Sequence, residues 1–267
     1  MSVTQLETVR YDIVNGVARV TFSRPDVHNA FNDVMIGELT GVLDTLDAND
    51  DVRAIVLTGE GKSFCAGADL TWMRRVVDYS FEENLDESLR LFDLFHKLYS
   101  HRHPTIARVN GAAIGGGMGL VTACDIAIAA DRAKFSLSEV KLGIVPACIS
   151  PFVLRKAGEG KCRELFITGA RIDAARALDA GLVNRVVSSE ELDSAVDEVL
   201  EMLRTSGPRA ISICKELTRT IPAMPLDQAR EHTARCIAEL RASEEGQEGM
   251  AAFLEKRPPA WAQEKQG

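Results

Sequence analysis

Four glycines lie within the five residues Gly115–Gly119, in the stretch NGAAIGGGMGLVTACD, and an apolar run follows them at once. A glycine inside a helix or strand costs about 0.5–1 kcal/mol relative to alanine, so the fold must require bare backbone here. The preceding TIARVNG predicts a strand, and the residues that follow predict a helix. This arrangement leaves unpaired backbone N–H groups at a helix N-terminus, where negative charge is stabilised.

The spacing of these glycines argues against two nucleotide-binding motifs. A dinucleotide-binding G-x-G-x-x-G sequence would need glycine at position 120 or 122, where the chain has Leu120 and Thr122. A P-loop would need Gly-Lys-Ser/Thr, which does not follow. Tight packing between a strand and a helix stays open as an alternative explanation of the run.

A second corner of the same kind is predicted at GKSFCAGADL, residues 61–70. It also follows a strand and leads into a helix through small residues. Two such corners can aim two N–H groups at one oxygen atom and so form an oxyanion hole. Removal of one donor from such a hole typically slows a reaction by ~10²–10³.

The hydrophobic pattern divides the chain into two parts. VRYDIVNGVARVTFSRP predicts a hairpin that turns at Asn15-Gly16, and Asn32 or Asp33 begins a helix that runs to about Ala48. Strands alternate with helices as far as Pro146, which favours an α/β core. Helices are predicted after it at residues 161–168, 173–180, 190–205, 208–220, 226–241 and 244–255. The terminal EKRPPAWAQEKQG is charged and contains prolines, and we expect it to project from the body.

Charge and cysteine content argue against several classes of protein. The net charge of −8 disfavours nucleic-acid binding, which usually needs a basic face. The six cysteines show neither C-x-x-C pairs nor metal-ligand spacing, so we expect reduced thiols and no metal site. No apolar stretch reaches the ~18 residues of a membrane helix, and the first residues lack the apolar region of a secretory signal. We expect a cytoplasmic protein without a membrane or nucleic-acid partner.

Five stretches, in this order, resemble the enoyl-CoA hydratase/isomerase (crotonase) family. They are VTFSRPDVHNAF, VLTGEGKSFCAGADL, ARVNGAAIGGGMGLVTACDIAIAADRAKFSLSEVKLGIVP, ALDAGLVNRVV and AAFLEKRPPAW. The resemblance implies an α/β fold: a crotonase-like spiral of ββα turns over residues 1–200 and a helical C-terminal trimerisation region over 201–267. It further implies a homotrimer or dimer of trimers, and a coenzyme A thioester as substrate rather than a permanently bound cofactor.

The resemblance assigns the oxyanion hole to the backbone N–H groups of Ala68 and Gly116, and the acid/base role to Glu139. Hydratases of the family usually have a second glutamate, and Gly119 stands at that position here. Glu139 alone could add water across an α,β-unsaturated thioester, as a hydratase does, or move a proton between C2 and C4, as a Δ3,Δ2-enoyl-CoA isomerase does. A non-catalytic thioester-binding protein is a third alternative, and a lone glutamate is more often a solvated carboxylate, here beside Lys141.

Local sequence favours one subgroup. CAGADLTWMRR and FSLSEVKLGIVPACISPFVLRKAGE resemble hydratases of branched glutaconyl-CoA thioesters, such as methylglutaconyl-CoA or isohexenylglutaconyl-CoA. Many family members have a glycine-rich link after the proline matched by Pro146, so Cys148, Ile149 and Ser150 should reshape the acyl end of the pocket. Cys148 is disfavoured as a nucleophile, because no histidine lies near it in sequence and apolar neighbours raise a thiol pKa.

The resemblance also implies a path for the rest of the substrate. The nucleotide and pantetheine would lie along Val27, His28, Ala30, Ala66, Asp69 and Leu70, with Gly115, Gly119 and Pro146 also at the substrate site. Phosphate contacts are implied for Arg24, Lys62 and Lys256 and an adenine or pantetheine contact for Phe253, the last two from a neighbouring subunit. Solvated surface charge is an equal alternative for each basic residue. Trp72 would line the acyl pocket or pack in the core, and the charged residues 74–90 would form a solvated lid.

Overall fold

The computed structural model describes residues 3–263, which contain eleven strands and eleven α-helices. The strands are β1 (Thr4–Gln5), β2 (Val9–Val14), β3 (Val17–Phe22), β4 (Ala54–Gly59), β5 (Ser63–Cys65), β6 (Thr105–Val109), β7 (Ala112–Ile114), β8 (Ile126–Ala130), β9 (Lys134–Ser136), β10 (Ile172–Asp173) and β11 (Arg185–Val187). The helices are α1 (Asp33–Asp47), α2 (Leu70–Val76), α3 (Phe81–Ser100), α4 (Gly116–Ala123), α5 (Ser150–Ala157), α6 (Glu159–Thr168), α7 (Ala174–Asp179), α8 (Leu192–Arg204), α9 (Pro208–Thr220), α10 (Leu226–Ala242) and α11 (Glu244–Leu254).

The N-terminal hairpin and first helix form as predicted. Strands β2 and β3 pair antiparallel, and both turn residues have positive φ, 50° at Asn15 and 77° at Gly16. Such a turn matches the twist of the paired strands. Asn32 caps α1, because its side chain accepts a hydrogen bond of 2.9 Å from the Met35 amide.

A seven-stranded sheet in the order β1-β2-β3-β4-β6-β8-β11 forms the centre of the molecule. Its strands from β3 to β11 pair in parallel. Ile55 of β4 packs in the main core with Leu39 of α1, whereas the adjacent Val56 packs in a second core with Val196 of α8. Both faces of the sheet are therefore buried, which explains the continuous apolar run of β4.

A second, four-stranded sheet has the order β10-β9-β7-β5, and β5, β7 and β9 pair in parallel. Each of these strands follows a strand of the large sheet: β5 follows β4, β7 follows β6, and β9 follows β8. Helices α2 and α4 come after the first two of these pairs. The chain thus winds in repeated ββα turns, as expected from the resemblance.

The C-terminal third is helical at each predicted position, from α6 to α11. The terminal segment, however, does not project as expected. The Trp261 indole N–H donates to the Thr205 carbonyl oxygen at 3.2 Å, and the Arg53 guanidinium donates to the Trp261 carbonyl oxygen at 3.3 Å. These bonds hold the segment against the body, and residues 264–267 of the predicted projection lie outside the described residues.

Candidate active site

Three turns of the chain meet at one edge of the small sheet. In parallel strands the carboxyl ends lie on the same side, and the registers Cys65↔Ala113 and Ile114↔Ser136 align β5, β7 and β9 closely. Ala68 follows β5 by three residues, Gly116 follows β7 by two, and Glu139 follows β9 by three. The topology therefore brings together the three residues that the resemblance marks as catalytic.

The corner that follows β5 holds Ala68 between two backbone hydrogen bonds. Phe31 donates to the Gly67 carbonyl oxygen at 2.7 Å, and Asp69 donates to the Phe31 carbonyl oxygen at 2.7 Å. Residues 31 and 68 thus form a parallel bridge. In such a bridge the flanking residues 67 and 69 bond to Phe31, so the N–H of Ala68 points away from that segment.

The corner formed by the glycine run follows β7 and begins α4. Gly115 has φ 52° and donates to the Ser136 carbonyl oxygen at 2.9 Å, which ties the corner to the end of β9. Gly116 is the first residue of the helix, where a backbone N–H has no partner within the helix. Among residues 3–263, neither the Ala68 nor the Gly116 amide has a hydrogen-bond acceptor. Two free donors are what an oxyanion hole requires.

At each of the first three glycines of the run, a side chain would meet a different neighbouring group. A β-carbon would lie 3.1 Å from Glu139 Oε1 at Gly115, 2.9 Å from Phe31 Cδ2 at Gly116, and 2.3 Å from the Cys65 carbonyl oxygen at Gly117. Gly117 therefore packs directly on the corner that follows β5. Close packing, one of the alternatives considered for the run, accounts for these contacts, and it also keeps the two corners together.

Glu139 lies over the start of α4 in a 3-10 turn formed by Ser138–Leu142. Burial raises the pKa of its carboxyl group above the usual value. In the described part of the chain its Oε2 atom is buried without a hydrogen-bond partner. Lys141, by contrast, is exposed. A desolvated carboxyl group with a raised pKa is a better candidate for proton transfer than a solvated one.

The position of the second family glutamate is filled by apolar atoms. A β-carbon on Gly119 would lie 2.3 Å from Ile149 Cγ2 and 2.8 Å from Phe95 Cε1. Phe95 and Ile149 are both buried. The space beside Gly119 therefore has no room for a carboxylate side chain as the structure stands.

The charged segment 74–90 folds into the end of α2 and the first half of α3, with most of its side chains exposed. Ser80 and Glu83 form a capping box that begins α3. Glu87 differs from its neighbours because its carboxylate accepts a hydrogen bond of 2.7 Å from the indole N–H of buried Trp72. Sequence reasoning had no signal to single out Glu87, because the bond joins two helices.

Residues expected along the coenzyme A path lie on two adjacent segments. The Ala66 amide donates to the His28 carbonyl oxygen at 3.0 Å, and His28 Nδ1 lies 3.2 Å from Ser63 Oγ. Exposed residues of these segments are Val27, His28, Lys62 and Leu70, whereas Ala30 and Asp69 are buried. Pro146 is also buried. Phe253 and Lys256 lie exposed at and just after the end of α11.

Arg24 and Asp69, both expected beside the coenzyme A, pair with each other instead of facing solvent. Arg24 Nη2 lies 2.6 Å from Asp69 Oδ2, and the two side chains are only 19% and 9% exposed. Arg24 Nη1 also donates to the Ala30 carbonyl oxygen at 2.5 Å. The guanidinium group therefore has two partners within the chain.

Burial raises the pKa of three cysteine thiols. Burial raises the pKa of Cys65 and Cys124 to about 12 and raises that of Cys148, whose thiol donates to the Ser88 carbonyl oxygen at 3.4 Å. A protonated thiol is a poor nucleophile. Within residues 3–263 no group of three or more His, Cys, Asp and Glu side chains could hold a metal ion. None of the helices in this range is long and apolar enough to cross a membrane.

Relatives of known name match almost the whole chain. A putative enoyl-CoA hydratase of Thermus thermophilus is 38% identical over 91% of this chain and 96% of its own length. The probable enoyl-CoA hydratase echA8 of Mycobacterium bovis is 35% identical over 95% of this chain and 97% of its own.

Solved structures also match almost the whole chain. An enoyl-CoA hydratase from Shewanella pealeana superposes with a TM-score of 0.93 at 40% identity, covering 96% of this chain and 97% of that one. AtuE of Pseudomonas aeruginosa superposes with a TM-score of 0.94 at 38% identity, covering 96% and 100%. The fold is therefore the expected crotonase-like α/β fold. The family model for enoyl-CoA hydratase/isomerase matches residues 12–265, and the chain belongs to the enoyl-CoA hydratase/isomerase family.

Proposed function

We propose that this protein is an enoyl-CoA hydratase, which adds water to an α,β-unsaturated acyl-CoA thioester. The observation that carries the proposal is the position of the buried Glu139 carboxylate beside Gly115, next to the corner that offers the free Gly116 amide. Two relatives, at 38% and 35% identity, carry the names putative enoyl-CoA hydratase and probable enoyl-CoA hydratase, and these names favour hydration over other reactions of the family.

The proposed reaction uses Glu139 as base and then as acid. The Ala68 and Gly116 amides hold the thioester oxygen and stabilise the negative charge that develops on it. Glu139 takes a proton from water as the water oxygen bonds to C3, and the electrons of the C2–C3 double bond move onto the thioester as an enolate. Glu139 then returns the proton to C2, which completes the addition of one water molecule.

Double-bond isomerisation is the second candidate, favoured by one observation. Gly119 stands where family hydratases have a second glutamate, and Phe95 and Ile149 fill the space beside it. A single carboxylate suffices to move a proton between C2 and C4. Glu139 would then act as a Δ3,Δ2-enoyl-CoA isomerase base, and no water would be added.

For the substrate we propose a branched glutaconyl-CoA thioester. The support is the resemblance of the segments around Ala68 and Glu139 to that subgroup, together with the side chains that replace the usual glycine-rich link. Cys148 and Ile149 stand in this link, and Ile149 and Phe95 border Gly119. The ring of Phe152 packs against three aromatic side chains of α3, namely Phe92, Phe95 and Tyr99. These contacts place large side chains near Gly119, which Phe95 borders.

A cytoplasmic homotrimer or dimer of trimers is proposed for the assembly. Large apolar side chains stay exposed on the C-terminal helices, with Leu226 at 88%, Phe253 at 82% and Leu254 at 79%. Burial of such side chains against another copy would be favourable, at roughly 25 cal/mol per Å² of apolar surface. In that assembly Phe253 and Lys256 would be available to the coenzyme A of a neighbouring subunit.

One experiment separates the alternatives. The protein is incubated with straight-chain and branched enoyl-CoA thioesters, and the products are identified by mass and by NMR. Hydration adds the mass of water and gives a 3-hydroxyacyl product, whereas isomerisation leaves the mass unchanged and moves the double bond. A protein that binds these thioesters but converts none of them, with Glu139→Gln indistinguishable from the wild type, would refute both catalytic proposals.

A further inference from the structure

We propose that Arg24 is a positioning residue for the oxyanion hole, which holds the Ala68 amide in place through Asp69 and the backbone of residues 30–31. The inference rests on the proposed function, because it gives the same site a further necessary part. It assigns to Arg24 a role different from the phosphate contact that the sequence suggested.

The Arg24 guanidinium group links residues 30–31 to Asp69, the residue after Ala68. One arm donates to the Ala30 carbonyl oxygen at 2.5 Å, and the other bonds to the Asp69 carboxylate at 2.6 Å. The two backbone bonds between Phe31 and residues 67 and 69 lie directly beside these contacts, each 2.7 Å long. Arg24 therefore reinforces the bridge whose geometry sets the direction of the Ala68 N–H.

Asp69 uses its two carboxylate oxygens for different purposes. Oδ1 accepts hydrogen bonds from the Thr71 and Trp72 amides at 2.7 and 3.4 Å, which caps α2 immediately after the oxyanion corner. Oδ2 pairs with Arg24. Since the carboxylate is only 9% exposed, loss of Arg24 would leave a charge with neither solvent nor counter-ion, and the corner would have to rearrange.

Phe31 extends the same restraint to the second amide. Its backbone brackets Ala68, and its ring lies against Gly116, where a β-carbon would stand 2.9 Å from Phe31 Cδ2. The ring also makes an edge-on contact with Phe95, with centroids 6.2 Å apart. One buried side chain thus sets the spacing between the two donors of the hole.

Such spacing matters because an oxyanion hole acts only when both donors lie about 2.7–3.1 Å from the developing oxyanion. A displacement of about 1 Å can cost on the order of 10²-fold in rate. Both arms of the Arg24 guanidinium group bond to the corner, one to the Ala30 carbonyl oxygen and one to the Asp69 carboxylate. Loss of the pair should therefore weaken transition-state binding more than ground-state binding.

The test uses two site variants and one matched control. Arg24→Met removes the guanidinium group, and Asp69→Asn removes the ion pair while it keeps a side-chain oxygen to cap α2. Arg108→Met is the control, because the Arg108 side chain is 18% exposed, close to the 19% of Arg24, and pairs with Asp193 of α8 at 2.6 Å, outside the corner. Each protein is assayed with an enoyl-CoA thioester and with the same acyl group on pantetheine, which lacks the phosphates.

We expect Arg24→Met and Asp69→Asn to lower kcat about 10- to 100-fold with both thioesters, with a much smaller change in KM. Arg108→Met should keep the wild-type kcat. A phosphate contact would give another result: KM would rise for the coenzyme A thioester alone, and kcat with the pantetheine thioester would be unchanged. That result would overturn the proposal.

A binding measurement decides the matter without turnover. Acetoacetyl-CoA has an enolate that absorbs in the near ultraviolet, and an oxyanion hole shifts the bound ligand toward this form. We expect a smaller enolate band in Arg24→Met and Asp69→Asn than in the wild type and Arg108→Met. Equal bands in all four proteins would refute the positioning role. No band in the wild type would refute the oxyanion hole itself, and with it the inference that rests on it.

The two readouts also separate failure of this inference from failure of the proposed function. If the wild type converts no enoyl thioester but forms the enolate band, hydration is refuted and the band still tests Arg24. Circular dichroism and thermal unfolding show which variants are folded. Asp69→Asn keeps the helix cap and so provides the deciding comparison if Arg24→Met does not fold.

Discussion

The carboxylate of Glu139 lies against the α-carbon of Gly115, so that a β-carbon on Gly115 would stand 3.1 Å from Glu139 Oε1. This contact places a buried carboxyl group at the first turn of α4, beside the free N–H of Gly116. The proposed acid/base group and one of the two proposed oxyanion donors are therefore neighbours within one chain. Five predictions test this site.

Glu139→Gln is expected to lower kcat by roughly 10²–10⁴, because the amide cannot accept and return a proton. The substitution keeps the shape of the side chain and removes a buried carboxylate that lacks a partner at Oε2. Steady-state kinetics on the enoyl-CoA thioester that the wild type converts best measure the loss. Glu164→Gln, which removes an exposed carboxylate paired with Arg176, should leave kcat unchanged, and an equal loss in both would contradict the assignment.

The rate should depend on the ionisation of Glu139. Because the carboxylate form is the base, kcat/KM should rise with pH, with an apparent pKa above the ordinary glutamate value of 4.5. A profile measured from about pH 4 to 8 checks this expectation. A limb centred at or below the ordinary value would show that the group is solvated in the free protein.

The contribution of Glu139 to the free energy of unfolding should fall as pH rises, whereas the rate rises. Burial raises the folded-state pKa of Glu139, so the folded protein binds this proton more tightly than the unfolded chain does. Its contribution to the free energy of unfolding is present at low pH and is lost as pH rises from the unfolded pKa through the folded one. Denaturant unfolding should therefore show Glu139→Gln gaining stability relative to the wild type as pH rises through that range. A difference independent of pH would argue against a raised pKa.

Gly115→Ala should lose both stability and activity. Gly115 has φ 52° and ψ −118°, and a residue with a β-carbon held in so sparsely populated a region costs about 1–3 kcal/mol. The new methyl group would also press on the Glu139 carboxylate. Gly158→Ala provides the control, because Gly158 has φ 79° and no atom within 4 Å of a β-carbon. Thermal unfolding and kcat are measured for both, and we expect kcat to fall in Gly115→Ala alone. Unchanged kcat in both variants would place the carboxylate away from the reaction.

Gly119→Glu should fail to add a useful second carboxylate. Its β-carbon would lie 2.3 Å from Ile149 Cγ2, and overpacking of this kind typically costs about 1–3 kcal/mol. The double variant Gly119→Glu/Ile149→Ala should recover part of this loss, because it removes the obstructing methyl group. Denaturant unfolding measures the stabilities and the enoyl-CoA assay the rates. A stable single variant with increased hydration would show that the site adapts more readily than its packing indicates.

Sequence by itself determined the local elements and the family. The Asn15-Gly16 hairpin, the Asn32 cap and the helices after Pro146 depend on neighbouring residues, whose turn geometry and periodicity are visible in a linear chain. The motifs around Ala68, Gly116 and Glu139 also lie in short continuous stretches. For that reason the crotonase-like fold and the three candidate catalytic positions could be predicted together.

Only the tertiary structure decided which partners these residues have. The Arg24–Asp69 pair spans 45 positions and the Trp72–Glu87 bond spans 15, and the filling of the space beside Gly119 involves α3 and the start of α5. Docking of Trp261 on residues 53 and 205 is equally long-range, which is why the expected projection of the terminal segment was wrong. Burial, and with it the raised pKa of Glu139, results from packing among segments far apart in sequence, and no local pattern encodes it.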